Sequence, residues 1–285
     1  MMTSTKLQTY ASFVKLEHAM FSLPLIFAGA LLRLRHWPDA LTTVLALLAA
    51  VGARAMGMGM NRLIDAEIDA RNPRTRHREL PRGVMTRNEA WGLVVGAGVL
   101  YLICAALIAP ICLWLSPIPV LLFAVYPHLK RFTSLAHVGL GLAWSTAPVA
   151  GWLAASKSLQ GIGEVSWLWL FAVLWVAGFD IIYATMDEAF DRAEGLHALP
   201  ARLGKAKALQ TALVLHIWAF VALASLWRGQ LHTGASLWWL LAIGVAFIWQ
   251  HAIADRNPEF AFFKLNGLIG FLVFGMVWSG SRSWW

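Results

Sequence analysis

Apolar residues dominate nine stretches of about 17–22 residues, at 17–36, 39–60, 90–109, 111–127, 135–155, 166–184, 208–227, 235–254 and 265–282. Each is close to the ~20 residues with which a helix crosses about 30 Å of hydrocarbon. The pattern predicts an all-α fold, a polytopic integral membrane bundle of about nine transmembrane helices. Little more than Pro110 separates the third stretch from the fourth. No low-complexity tract or linker breaks the series, so residues 1–285 are expected to form a single membrane domain.

The polar breaks are unequal. Two are long and charged, 61–89 and 185–207, whereas most of the others are short and carry little charge. The first opens with NRLIDAEIDARNPRTRHRELPRG, residues 61–83, directly after the apolar run LALLAAVGARAMGMGM. Chemistry is therefore expected at the end of the bundle where these two connections lie.

Composition sharpens this picture. Hydrophobic residues make up 59% of the chain and charged residues 13%, a balance that suits a membrane bundle and not a soluble domain of this length. The formal net charge of +8 could suggest nucleic acid, but its placement excludes that partner. With the N-terminus and both long connections in the cytoplasm, 17 of the 23 lysines and arginines lie inside and five outside, with Arg54 inside a span. That asymmetry is the positive-inside rule, and an odd number of spans sends the C-terminus outside. Cys104 and Cys112 fit no metal motif and read as small hydrophobes. Trp37, Trp114, Trp238, Trp239, Trp284 and Trp285 fall near predicted span ends, as in an interfacial belt. The segment before FAGA, 27–30, is long and holds Glu17 and Pro24, so a retained first helix is expected in place of a cleaved signal.

The charged connections echo each other. One begins with Asn61, Asp65 and Asp69, the other with Asp180, Tyr183, Asp187 and Asp191. Carboxylates four apart on a helix are offset by only ~40° about its axis, so each set is expected to line one helix face. Like charges at that spacing repel, and two facing sets call for a cation. Hard oxygen ligands suit Mg²⁺, which keeps several waters and bridges to substrate phosphates. Arg71, Arg74, Arg76 and Arg78 exceed what these carboxylates can pair, and such a cluster can hold a diphosphate. A lone DxxxD is usually a solvated face. Two of them, each following a span and each accompanied by arginines, favour a metal-bridged diphosphate whose lipid tail lies in the bundle.

The motifs resemble those of the UbiA superfamily of intramembrane aromatic prenyltransferases. NRLIDAEID matches its NxxxDxxxD motif, DIIYATMDEAFD its DxxYxxxDxxxD motif, and YPHLKRFT, 126–133, its YPxxKRxT connection. The resemblance covers essentially the whole chain, and IDARNPRTRHRELPRG and EAFDRAEGLHALPARLG are most similar to the bacterial 4-hydroxybenzoate polyprenyltransferase-like group. This implies a protein of the bacterial inner membrane. It also implies transfer of a polyprenyl group from polyprenyl diphosphate to a ring carbon of 4-hydroxybenzoate, in ubiquinone biosynthesis. A dihydroxynaphthoate of the futalosine route to menaquinone is the alternative acceptor. Asn61, Asp65, Asp69, Asp187 and Asp191 would bind the metal; Arg74, Arg78 and Lys130 the diphosphate; Tyr183 would stand close to it.

Three residues depart from the better-known ubiquinone enzymes. Arg62 stands where those often carry Asp, Glu79 where Pro is common, and His197 where several have Lys. Arg54 lies two turns before Asn61 on the same face, inside an apolar helix, where an ionisable group is a functional candidate. It would bind the aromatic acid's carboxylate or serve as a counter-ion to the aspartates. Asp180 would stabilise the allylic cation or orient the ring. Glu67, Glu188 and Glu194 are expected to be solvated, and the histidines show no ligand spacing. A cation-coupled transporter is the rival of a different class, but its acids would be expected near the membrane midplane.

Overall fold

The structure is a computed structural model that describes residues 6–15 and 19–281. Glu17, Arg282, Trp284 and Trp285 lie outside the described residues. Eight helical stretches among those described are long and apolar enough to cross a membrane, and Phe21–Leu34 is a shorter apolar helix. The nine apolar stretches of the sequence thus reappear in order.

A short helix α1 (Lys6–Val14) precedes α2 (Ala19–Leu34) and the long α3 (Ala40–Arg71). Asp39 caps α3 by accepting from the Thr42 N–H at 2.9 Å, which satisfies one orphan donor of the first turn. The helix runs to Arg71 and does not stop near residue 60. Nothing in NRLIDAEIDAR breaks it, and it ends at Asn72, extended at φ −78° and ψ 119°, because Pro73 disfavours helical backbone in the residue before it. Most of the first charged interval is therefore a rigid continuation of a span.

Next come α4 (Arg87–Ile108), α5 (Pro110–Leu115), α6 (Pro117–Leu129) and α7 (Ala136–Ser156). A capping box of Thr86 and Glu89 starts α4, and Ala109, extended before Pro110, breaks it from α5. Helix α8 (Ser166–Ala184) passes through a 3₁₀ turn, Thr185–Asp187, into α9 (Glu188–Ala193). The second set of acids is thus not on one straight helical face, contrary to expectation: the tighter turn re-aims the chain between Tyr183 and Asp191. Interval 185–207 also holds α10 (Leu199–Leu203), and α11 (Lys205–Leu226) already begins inside it. The chain ends with α12 (Gly234–Ala254), α13 (Pro258–Phe260), a π-helical turn at Ala261–Leu265, and α14 (Asn266–Ser281).

The main core joins α2, α7, α8, α11, α12 and α14 around Trp152, Phe171, Trp175, Leu223, Ile243 and Val273. Helices α2 and α7 cross with backbones nearly touching. A Cβ on Gly29 would overlap the Pro148 carbonyl, and one on Gly151 the Ile26 carbonyl. Small residues at crossings are how membrane helices gain close packing, since lipid offers no hydrophobic drive between them. A second cluster sets Phe13 and Val14 of α1 against Met56 and Leu63 of α3 and Val94 of α4. Trp37, Trp114, Trp238 and Trp239 are exposed. Cys104 and Cys112 are free thiols.

Candidate active site

The last three turns of α3 carry Asn61, Asp65 and Asp69 at the predicted four-residue spacing. Asp65 and Asp69 are buried, and Glu67, off that face, is exposed. All three motif residues line a cavity of about 960 Å³, together with Asp180 and Tyr183 of α8, Asp187 of the 3₁₀ turn and Asp191 of α9. Arg54, Arg74, Arg78 and Lys130 line it too. The candidate metal, diphosphate and acceptor residues therefore meet in one cavity at one end of the bundle, whereas Arg71 and Arg76 do not line it.

The cations and carboxylates of that cavity are paired with each other. Lys130 Nζ donates to Asp65 Oδ2 at 2.6 Å and Arg78 Nη1 to Asp69 Oδ2 at 2.7 Å. Arg74 grips Asp187 with Nε, at 2.9 Å to Oδ1, and with Nη2 to Oδ2, while its Nη1 donates to the Tyr183 hydroxyl at 2.6 Å. Burial opposes the Arg74 charge, but the bonds to Asp187 and Tyr183 outweigh it and hold its pKa above the usual arginine value. Arg71 and Glu194 pair at 2.9 Å across the two charged connections, and Glu188 pairs with Arg192. One expectation holds here and one is corrected. As expected, the motif carboxylates do not pair all four arginines: Arg74 and Arg78 hold Asp187 and Asp69, Arg71 reaches Glu194 instead, and Arg76 forms none of the ion pairs among the described residues. Glu194 is not merely solvated, since it ties the first connection to the second.

Asn72 is a link that pattern reading passed over. Its side chain donates to Asp187 Oδ1 at 2.9 Å and accepts from the Arg74 N–H at 2.8 Å, so the residue that ends α3 also joins the two motifs. Arg131 donates to the Ile64 carbonyl at 2.7 Å and stands 3.9 Å from Asp65 Oδ1. His137 was missed as well. Its Nδ1 lies 2.6 Å from Asp180 Oδ2, 43 positions away in sequence, a pairing that only the packing of α7 on α8 creates.

The two departures at 62 and 79 meet. Arg62 and Glu79 form a buried ion pair, the Ser12 hydroxyl donates to Glu79 Oε1 at 2.6 Å, and the Arg62 guanidinium lies over the Phe13 ring at 5.6 Å. Burial pushes the Glu79 carboxyl up, but Ser12 and Arg62 prevail and its pKa lies below the ordinary range.

The residues fit a divalent metal by donor chemistry. Asp65 Oδ1 is buried without a hydrogen-bond partner, and the surrounding donors are the hard oxygens that Mg²⁺ takes. Among the described residues no three acidic, histidine or cysteine side chains gather tightly enough to hold an ion by themselves. The facing carboxylates instead hold lysine and arginine, so like charge is neutralised internally.

Below the charged zone the lining turns aromatic. Tyr183 and Phe262 pack at 4.2 Å between ring centroids, Phe179 and Phe262 at 5.3 Å, and Trp144 and Phe179 at 6.1 Å. Phe262 belongs to the π turn, whose irregular backbone is held by Gln250 and Asn266, both bonded to the Ala261 carbonyl. A second, apolar cavity of about 550 Å³ begins here, and Arg54, Met58, Tyr126 and Trp144 line both. The Arg54 guanidinium sits 5.3 Å over the Trp144 ring at that junction.

The profile of the UbiA prenyltransferase family matches residues 22–277. The chain belongs to the UbiA prenyltransferase family. It is 30% identical to the 4-hydroxybenzoate octaprenyltransferase of Vibrio cholerae serotype O1 (strain ATCC 39541) over 279 residues, which covers 95% of this chain and 97% of that protein. The apo structure of a UbiA homolog from Aeropyrum pernix K1 superposes with a TM-score of 0.84 at 34% identity, covering 90% of this chain and 96% of that one. A UbiA homolog from Archaeoglobus fulgidus, solved bound to GPP and Mg²⁺, shares the fold at a TM-score of 0.71 and 20% identity, covering 95% and 99%. This UbiA family member is thus an integral membrane prenyltransferase, and the sequence resemblance holds over nearly its whole length.

Proposed function

We propose that the protein transfers a polyprenyl group from polyprenyl diphosphate to a ring carbon of 4-hydroxybenzoate, a step of ubiquinone biosynthesis in the bacterial inner membrane, with N-terminus and site cytoplasmic. One observation carries the reading: a cavity lined by acids and bases opens, at Arg54, into an apolar cavity. A molecule with a diphosphate head, a hydrocarbon tail and a reactive carbon between them fits that succession. The names of relatives such as the Vibrio cholerae enzyme support the acceptor.

Asn61, Asp65, Asp69, Asp187 and Asp191 would hold Mg²⁺, which supplies positive charge to the diphosphate as the allylic C–O bond ionises. Arg74, Arg78 and Lys130 would turn from their carboxylate partners to phosphate oxygens. Each of these exchanges replaces one charge-assisted bond with another, so no cation is left unpaired. Tyr183, bonded to Arg74, stands at the head of the aromatic wall and holds that guanidinium against the diphosphate. The faces of Tyr183, Phe262, Phe179 and Trp144 suit an allylic cation, since ring faces attract positive charge. Arg54 would hold the acceptor's carboxylate at the junction, with the ring hydroxyl activating the carbon that attacks. Asp180 would take up the proton lost from that carbon.

The deciding assay uses membranes carrying the expressed protein, labelled polyprenyl diphosphate, Mg²⁺, and a panel of aromatic acids. Labelled prenyl-4-hydroxybenzoate is the expected product. Turnover of a dihydroxynaphthoate alone would move the protein to menaquinone synthesis, and no aromatic product at all would sink the reading.

A further inference from the structure

His137 lies in the first turn of α7 and is buried, with its ring between two partners on other elements. The Leu199 backbone N–H, at the start of α10, points to Nε2 at 3.1 Å. A backbone amide can only donate, so Nε2 must be the acceptor, and in a neutral ring the hydrogen is then on Nδ1. That Nδ1–H faces Asp180 Oδ2 at 2.6 Å. The tautomer is therefore fixed by main chain, and the direction of the second bond follows: His137 donates and the Asp180 carboxylate accepts.

Asp180 is on the wall of the same cavity as Arg54, and both lie within electrostatic reach of Tyr126. The segment that carries Leu199 is fastened a second time, by the His197 N–H to the Lys130 carbonyl at 2.7 Å. His137 thus connects three things: the second charged connection, the Lys130 corner and the Asp180 carboxylate.

We infer that His137 is a positioning residue that holds Asp180 aimed at the ring carbon under attack. The inference rests on the prenyl transfer reading and deepens it. In the reaction the C1–O bond breaks first, its electron pair leaving with the diphosphate, and the ring carbon then bonds to C1 of the allylic cation. The ring C–H bond then breaks, its electrons restore aromaticity, and the proton passes to the Asp180 carboxylate and on to water in the cavity. A donor locked on Oδ2 fixes the carboxylate's rotamer; preorganised groups of this kind accelerate a step because nothing has to reorient during it.

The test compares the full-length wild type with His137→Leu and His137→Asn, using 4-hydroxybenzoate, or the dihydroxynaphthoate if that is the acid turned over. The asparagine amide can replace the Nδ1 donor but leaves Leu199 without its acceptor. His137→Leu should lower kcat on the order of 10–100-fold, the scale of a misplaced catalytic group, with the KM for prenyl diphosphate within about twofold of wild type. His137→Asn should restore most of the lost kcat. With acceptor deuterated at the attacked carbon, His137→Leu should show a primary isotope effect larger than that of wild type, a readout that a packing defect would not move. Loss of activity in His137→Asn equal to that in His137→Leu, or a leucine variant with wild-type kcat, would overturn the inference. If the leucine variant does not fold, the asparagine variant still decides: it should keep kcat within a few-fold of wild type, and a loss on the order of 10-fold or more would overturn the inference. A wild type that prenylates no aromatic acid would instead be a failure of the parent reading.

Discussion

Asp65 and Glu67 are two residues apart on one helix, yet one is buried against Lys130 and the other faces outward. That difference is a helical phase, and it separates their expected roles. Asp65→Asn and Asp191→Asn should each lose at least ~100-fold in rate, about 2.7 kcal/mol of transition-state stabilisation. Glu67→Gln should remain within a few-fold in the same assay, and equal damage would refute the face argument. Arg54 carries a different expectation because it stands where the polar and apolar cavities join. If it holds the acceptor, Arg54→Ala should raise the KM for the aromatic acid far more than that for prenyl diphosphate. Equal effects on both would make it a counter-ion of the aspartate cluster.

Helix α1 is held to the site by one buried ion pair and its neighbours. Ser12 and Phe13 reach Glu79 and Arg62, which belong to the first charged connection and to α3. Breaking such a pair by removing one partner costs about 3–5 kcal/mol, because the other charge is left buried. Glu79→Gln should therefore lower the thermal midpoint of the detergent-solubilised protein. The sign with pH follows from its depressed pKa. The stabilisation is complete above the ordinary glutamate value of 4.5 and is lost as pH falls through the lower folded value. Melting curves of wild type and Glu79→Gln should thus be far apart at pH 7 and converge in acid. A gap that did not narrow would mean that Glu79 acts through shape and not charge.

Over the whole molecule, charge in the site is balanced internally, since each of the candidate metal ligands Asp65, Asp69 and Asp187 already holds one of the cations proposed for diphosphate. Metal and diphosphate should then help each other bind, since each releases a partner of the other, and such coupling is reciprocal. Titration of inorganic pyrophosphate should show tighter binding with Mg²⁺ present, and of Mg²⁺ tighter binding with pyrophosphate. EDTA should abolish prenyl transfer and added Mg²⁺ should restore it. Full activity in EDTA, or independent binding of the two, would exclude this picture.

The number and order of helices, the two charged connections and the identity of the acidic motifs were legible along the chain. Hydrocarbon thickness sets the length of each apolar run, and a four-residue spacing sets a helical face. Those are local constraints, and a sequence displays local constraints directly. The extension of α3 to Arg71 was also written there, in the absence of any breaker before Asn72 and Pro73. What the chain alone could not show is which charge meets which. Arg74 with Asp187, Lys130 with Asp65 and His137 with Asp180 are 113, 65 and 43 positions apart, and their meeting depends on how α3, α6, α7 and α8 pack. The departures at 62 and 79 looked unrelated in sequence, and only their contact makes one explain the other. The 3₁₀ turn at Thr185–Asp187 is of the same kind: α-helical spacing predicted one straight face, and tertiary packing bent it so that Asp187 meets Arg74 and Asn72. Spacing fixes which residues share an element, whereas the partner of a buried charge is chosen by the elements packed against it, because a charge taken out of water must be satisfied by whatever the fold places there.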